Sequence, residues 1–258
     1  MDAIETWLAP VDPSENQNRA AAKRHEDSGR WFITSDELTT WVQGETKVLW
    51  LHGLPGCGKT VLISSIIARL QENKPRGCLL YFYFDFSEVE KQPIEALLHS
   101  LTWQLYHGYW KCRGPLDALY NDCGRGKKRP AFEALVNTFN LMLYQGEHVR
   151  IVLDALDESS TRHASLEWLK GVSLNVTKPK ANIQFLMTSR RETDIEESLD
   201  KWVPSKDMIG IQNDKVNDDI RLYVHHRIHT DDSFRRWHGM SDVLYNIEYT
   251  LSRKADGM

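Results

Sequence analysis

Leu49-Trp-Leu-His-Gly53-Leu-Pro-Gly-Cys-Gly-Lys-Thr60 ends an apolar run in the pattern G-x-x-x-x-G-K-[ST] and opens a helical one. At average residue usage, a chance match in a chain of this length is on the order of one per cent. Strand, glycine loop and helix in that order supply the context the motif requires. Gly53, Gly56 and Gly58, with Leu54, Pro55, Cys57 and Val61 around them, let successive backbone N–H groups turn inward. The positive end of the following helix adds to that cradle for phosphate oxygens. Lys59 then supplies a point charge for the β and γ phosphates, and the Thr60 hydroxyl a Mg²⁺ ligand. Cys57 falls at a variable position and reads as a small filler residue.

Working outward, Lys47–His52 is the first strand, and Leu62, Ile63, Ile66, Ile67 and Leu70 form one helical face between Lys59 and about Gln71. Cys78–Phe84, nearly continuous in apolar residues, reads as a strand covered on both faces. Helical patterns follow from Pro93 to about Tyr109 and over roughly 130–145. His148–Asp154 and Ala181–Arg190 are the third and fourth strands, with Ser165–Lys170 inside a helix between them, and Met208–Ile211 is a fifth. Alternating strands and helices predict an α/β fold, a doubly wound parallel sheet in three layers. Before it, Thr34 and Glu37 have capping-box spacing for a short helix toward Trp41. After Asn213 the pattern turns helical, from Val216 to Ile228 and from about 232 to 253. The divisions expected are a flank over 1–44, an NTPase core over 45–212 and a helical extension over 213–258 that stops ahead of a further domain.

A second anchor is needed for Mg²⁺, a carboxylate at the end of a neighbouring buried strand, and Ile151-Val-Leu-Asp154 provides it. Asp157 and Glu158 follow at once, where one could orient or deprotonate an attacking water. Acids at a helix start would look the same, and the glycine loop tips the reading toward catalysis. Arg190, ending Met187-Thr-Ser-Arg190, could reach a γ-phosphate or simply be a solvated arginine at a strand end. A Ras-like GTPase is disfavoured, because neither DxxG nor NKxD occurs at the needed places.

Composition narrows the classes. The 258 residues are 41% hydrophobic and 26% charged with nine Trp, which is globular composition. A formal charge of −4 offers no global field for nucleic acid or anionic lipid. Cys57, Cys78, Cys112 and Cys123 form no CxxC pair, which fits reduced thiols and a cytoplasmic protein. No leader pattern or bilayer-length apolar run is present. Arg125, Lys127, Lys128 and Arg129 make one basic loop, read as solvated rather than nucleic-acid-binding, and His225, His226 and His229 lack the further ligands of a metal site. The aromatics Tyr81 to Phe86, Trp103 and Trp110 are expected in the core.

Taken together, the segments Leu49–Thr60, Ile151-Val-Leu-Asp-Ala-Leu-Asp-Glu158 and Leu186-Met-Thr-Ser-Arg190 resemble the NACHT class of STAND NTPases. Ser28-Gly-Arg-Trp-Phe-Ile-Thr-Ser-Asp-Glu-Leu38 is similar to the segment before the glycine loop in fungal NOD-like receptors and nephrocystin-like proteins. The resemblance implies a P-loop core of the additional-strand type, and a slow NTPase switch whose triphosphate form self-associates and clusters an effector domain outside this chain. It implies that Ala155 and Asp157 match the small residue and second acid after the Mg²⁺ aspartate, that Arg190 is the sensor arginine, and that Arg30 and Trp31 contact base or ribose. Arg191 departs from the proline common there. The bound nucleotide would be ATP/ADP or GTP/GDP with Mg²⁺. Two alternatives stay open: a nucleic-acid-directed motor ATPase, and an interaction module that binds nucleotide without turnover.

Overall fold

The computed structural model describes residues 3–24, 29–73, 77–146, 148–174, 182–211 and 213–255. Ser28 of the quoted flank, Ala181 at the expected start of the fourth strand and the chain end at 256–258 lie outside the described residues. Five strands, β1 (Val48–His52), β2 (Cys78–Tyr83), β3 (His148–Asp154), β4 (Asn182–Ser189) and β5 (Met208–Gly210), form one parallel sheet in the order β2-β3-β4-β1-β5. The strand β4 therefore stands between the glycine-loop strand and the strand that carries Asp154. Register sets their ends level: His52 lies beside Ser189, Leu153 beside Met187 and Tyr83 beside Asp154.

Twelve α-helices accompany the strands among the described residues: α1 (Ala3–Leu8), α2 (Ser14–Ala21), α3 (Arg30–Ile33), α4 (Asp36–Gln43), α5 (Lys59–Glu72), α6 (Ile94–Gly108), α7 (Gly114–Asp122), α8 (Phe132–Leu143), α9 (Arg162–Leu174), α10 (Thr193–Leu199), α11 (Asn213–Thr230) and α12 (Ser241–Ala255). Because successive strand residues face opposite ways, the sheet feeds two cores. Leu49, Leu51, Val152 and Leu186 pack with α5 and with Phe32, Leu38 and Trp41 of the flank. Val48, Trp50, Ile151, Leu153, Phe185 and Met187 pack on the other face with α1, α6, α8 and α9. This is the expected three-layer α/β arrangement. A third cluster, Val224, Ile228 and Leu244 with Phe234, Trp237 and Ile247, lies within the C-terminal helices, and Ile220 of α11 packs against both it and the core that contains α5.

Local chemistry corrects several expectations. The cap of α4 is Ser35, whose Oγ accepts from Leu38 N at 3.2 Å, while the Thr34 hydroxyl donates back to the Arg30 carbonyl at 2.8 Å. Ser35 holds the extended backbone that a capping residue needs, and Thr34 does not. The stretch expected as one helix over 232–253 is a 3₁₀ turn, Asp232–Trp237, followed by α12; the Asp231 carboxylate accepting from Ser233 N starts the turn. Phe86 and Trp110 are exposed rather than core, since one follows the end of β2 and the other the end of α6 at Gly108. The basic loop clasps α1: Trp7 Nε1 donates to the Lys128 carbonyl at 2.7 Å and Arg129 donates to the Trp7 carbonyl.

Leu186 lies at the centre of the inserted strand with no exposed surface. Leu186→Ala should lower unfolding stability by about 2–5 kcal/mol in a urea titration, and an unchanged midpoint would contradict this packing.

Candidate nucleotide site

The glycine loop runs from the end of β1 to the start of α5. Gly56 and Gly58 take φ of 79° and 84°, and Gly58 caps α5. A Cβ on Gly53 would stand 2.8 Å from Cys57 Sγ, so the loop closes on itself only with glycine there. Cys57 is buried, as a filler should be. Lys59 Nζ donates to the Gly53 and Leu54 carbonyls, both at 2.8 Å, which holds the ammonium inside the loop it belongs to. Leu54 is exposed at the loop tip, and Pro55 beside it is exposed too.

Asp154 ends β3 with 2% of its surface exposed. Its Oδ2 accepts the Thr60 hydroxyl at 2.7 Å and its Oδ1 accepts the Thr188 hydroxyl at 2.5 Å. Burial pushes its carboxyl above the usual range, against the pull of the two hydroxyls and Lys59. Thr188 in turn accepts from Ala155 N at 3.0 Å. Ala155 takes a left-handed φ of 56°, which turns the chain so that Asp157 and Glu158 follow in a 3₁₀ turn. Asp157 Oδ1 accepts from Arg190 N at 2.9 Å and Oδ2 meets Arg190 Nε at 3.1 Å. The strand-end arginine is therefore paired with the second acid. Glu158 Oε2 accepts from Phe86 N at 2.9 Å, and burial raises its carboxyl pKa, helped by Asp157, Asp154 and Asp85.

Two cavities open beside the loop. One, of about 310 Å³, is bordered by Thr60, Val61, Tyr83, Asp85, Asp154 and Glu158. The other, of about 250 Å³, is bordered by Trp31, Gly58, Leu62, Ile211, Asp219 and Tyr223. Gly29 N donates to Asp219 Oδ2 at 2.8 Å, tying the flank to α11 across this second cavity. A Cβ on Gly29 would strike Leu62 Cδ1 at 2.5 Å. Trp31 borders the cavity, whereas Arg30 is exposed and lies outside its border.

Residues missed by sequence reading are Asp219, Ile220 and Tyr223 of α11, Asp85 beyond β2, and Lys23. The i, i+1, i+4 spacing of the α11 three is a helix face visible in the sequence, but nothing local says what it faces.

An inserted strand beside a glycine loop, with a buried acid bonded to the loop's threonine, defines a NACHT-like P-loop NTPase, a nucleotide-binding module. The profile of the family described as "Nephrocystin 3, N-terminal" matches residues 27–190, more than half of the chain, and the chain belongs to that family. It is 23% identical over 230 residues to the vegetative incompatibility protein HET-E-1 of Podospora anserina, covering 86% of this chain and 17% of that protein. The chain thus spans under a fifth of that relative's length. Among solved structures, a DNA replication initiation factor aligns at a TM-score of 0.46 and 11% identity over 92% of this chain and 61% of its own. The ORC2 protein of Aeropyrum pernix aligns at 0.44 and 11% identity, over 83% of this chain and 50% of its own. Among the described residues no helix is long and apolar enough to cross a membrane.

With its pKa raised on folding, Asp154 binds a proton more tightly in the native chain than in the unfolded one. Its contribution to stability is therefore best at low pH, and declines as pH rises from the unfolded pKa toward the folded one. In chelator, Asp154→Asn should melt higher than the parent at neutral pH, with the gap closing in acid. A gap independent of pH would contradict the burial effect.

Proposed function

We propose that the chain is the nucleotide switch of a signalling protein, binding a purine nucleotide and hydrolysing triphosphate slowly. The observation that carries this is the 2.7 Å contact of Thr60 with Asp154, which brings the loop's hydroxyl and the buried acid to one point on a cavity wall. Hydroxyl and carboxylate oxygens are the hard donors Mg²⁺ prefers, so Thr60 and Asp154 fit that ion as ligands, the acid acting through water. When bound, Mg²⁺ neutralises charge on the β and γ oxygens. The backbone from Gly53 to Val61 then cradles the phosphates, and Lys59 exchanges two carbonyls for phosphate oxygens.

The chain's own groups divide the remaining work. Glu158, partly buried and raised in pKa, accepts a proton from the attacking water; Asp157 and Arg190 stand beside it as a pair. In the diphosphate form this pair stays closed, and a γ-phosphate competes with Asp157 for the arginine, which makes Arg190 a sensor. The 250 Å³ cavity takes the purine of ATP/ADP or GTP/GDP, with the Trp31 and Tyr223 rings and Leu62 on its border. Division into a flank at 1–44, a core at 45–212 and an extension at 213–258 fits the separate C-terminal cluster. Self-association in the triphosphate state, an effector partner outside these residues and a cytoplasmic setting complete the reading. Nucleic acid has little place in it, because Arg129 of the basic loop is engaged with Trp7.

Lys59→Ala should abolish nucleotide binding by calorimetry; affinity equal to the parent's would refute the proposal. In phosphate-release assays, Glu158→Gln should slow turnover on the order of 10²- to 10⁴-fold with little change in nucleotide affinity. The parent's rate should fall on the acid side with an apparent pKa above the ordinary glutamate range, and that limb should vanish in Glu158→Gln. A limb that persists there would assign the proton to another group.

A further inference from the structure

The N-terminal helix α2 lies before the family match, which begins at residue 27, yet it walls the phosphate-side cavity. Its anchoring is buried and specific. Gln17 accepts the Tyr83 hydroxyl and donates to the Ser64 carbonyl at 3.0 Å, bridging β2 to α5. Asn16 donates to Asp85 Oδ2 at 2.9 Å and accepts from Lys91 Nζ at 2.5 Å. Both amides are 8% exposed. A helix held this way presents its next turn, with Arg19, at a set place, and Lys23 follows in the turn that closes the helix, its N–H bonded to the Ala20 carbonyl at 3.1 Å. Arg19 borders the 310 Å³ cavity with Thr60, Asp154 and Glu158. Lys23 borders both that cavity and the 250 Å³ one, so it stands where anything spanning the two must pass.

We infer that Arg19 and Lys23 form a second cationic clamp on the polyphosphate, opposite the glycine loop, with Arg19 reading the terminal phosphate and Lys23 the middle of the chain. This rests on the nucleotide reading above and adds residues that reading does not contain. A nucleoside triphosphate carries more negative charge than Mg²⁺ and Lys59 together neutralise, and the cavity wall adds Asp85, Asp154 and Glu158. Cations are needed there, and α2 and the turn that follows it bring them.

Arg19 now sits among Glu15 and Glu88, each at 3.4 Å, and Asp85 at 3.7 Å, with its side chain 47% exposed. Long, half-exposed pairs of this kind each contribute little. A guanidinium on a phosphate makes shorter, bidentate, charge-assisted hydrogen bonds. Exchange of these carboxylates for a phosphate is therefore favourable, and the contacts to Glu15, Glu88 and Asp85 hold the guanidinium beside the cavity.

The test is titration of a fluorescent non-hydrolysable triphosphate and the matching diphosphate, with Mg²⁺, against the parent chain, Lys59→Ala, Arg19→Gln, Arg19→Lys, Lys23→Gln and Glu15→Gln. Arg19→Gln should weaken the triphosphate roughly 10- to 100-fold and leave the diphosphate within about twofold. Arg19→Lys should recover part of the loss, and Lys23→Gln should weaken both nucleotides. Glu15→Gln, which removes one partner of Arg19 but lies off the cavity wall, should tighten the triphosphate, a gain that a structural role for Arg19 does not give. If the parent binds both nucleotides, Lys59→Ala binds neither, and Arg19→Gln keeps the parent's triphosphate-to-diphosphate ratio with an unchanged melting curve, the clamp is refuted and the glycine-loop reading stands. If the parent and Lys59→Ala bind alike, the site reading fails and the clamp with it.

Discussion

A buried carboxylate shared by two hydroxyls holds this molecule's working parts together. Asp154 would be costly to ionise in a dry strand end, yet the Thr60 and Thr188 hydroxyls each donate to one of its oxygens. Those donors come from the helix after the glycine loop and from the inserted strand. Three elements distant in sequence are thus fixed to one another by a group whose charge the surrounding protein resists. Such a carboxylate gains from any cation brought to it, so the contact that orders these three elements also suits the point to a cation.

The inserted strand explains the rest of the geometry. With β4 between β1 and β3, the level ends of the three strands deliver His52 and Gly53, Thr188 to Arg190, and Asp154 to Glu158 to one edge of the sheet. Parallel strands put all their carboxyl ends on the same side, so loops from separate parts of the chain converge there. Had β3 paired directly with β1, Arg190 would not lie between the glycine loop and Asp157. The left-handed turn at Ala155 is the local cost of this convergence, about 1–2 kcal/mol for a residue with a Cβ. It returns the chain sharply enough for Asp157 to meet Arg190 while Ala155 N still bonds Thr188.

Much of this was legible in the sequence because it depends on short-range pattern. Strand, glycine loop and helix follow from local periodicity and from residues whose backbone freedom is special. The acids at 154, 157 and 158 announce themselves by following an apolar run. What could not be read is what distant elements do to each other. Nothing in Ser14–Ala21 says that Asn16 and Gln17 will be buried against Tyr83 and Lys91, because those partners lie 66 and 75 residues away. Asp219 likewise has no local mark of its bond to Gly29 N, made across 190 residues. The cap at Ser35 instead of Thr34 is a subtler failure: both are hydroxyl residues, and only backbone conformation chooses between them. Phe86 and Trp110 misled for the opposite reason, since apolar character predicts burial only where an element continues to cover it.

The two unforeseen attachments have a common consequence. Helix α2 reaches the 310 Å³ cavity from before the stretch that matches the family, and α11 reaches the neighbouring cavity from after it, at residues beyond 190. Both meet the core beside the glycine loop, and Lys23 and Asp219 border the same 250 Å³ space. Anything that binds there contacts the flank, the loop and the C-terminal helix together, and so stabilises their association by the whole of its differential affinity for the closed arrangement. The Gly29–Asp219 bond supplies one hydrogen bond to a carboxylate toward that closure, about 1.5–3 kcal/mol net. A single bond of that size is small enough for a ligand to outweigh in either direction, which is the condition a switch element must meet. The C-terminal helices have a core cluster of their own, and Ile220 of α11, which packs both in that cluster and against the sheet-side core, couples them to whatever happens beside the glycine loop.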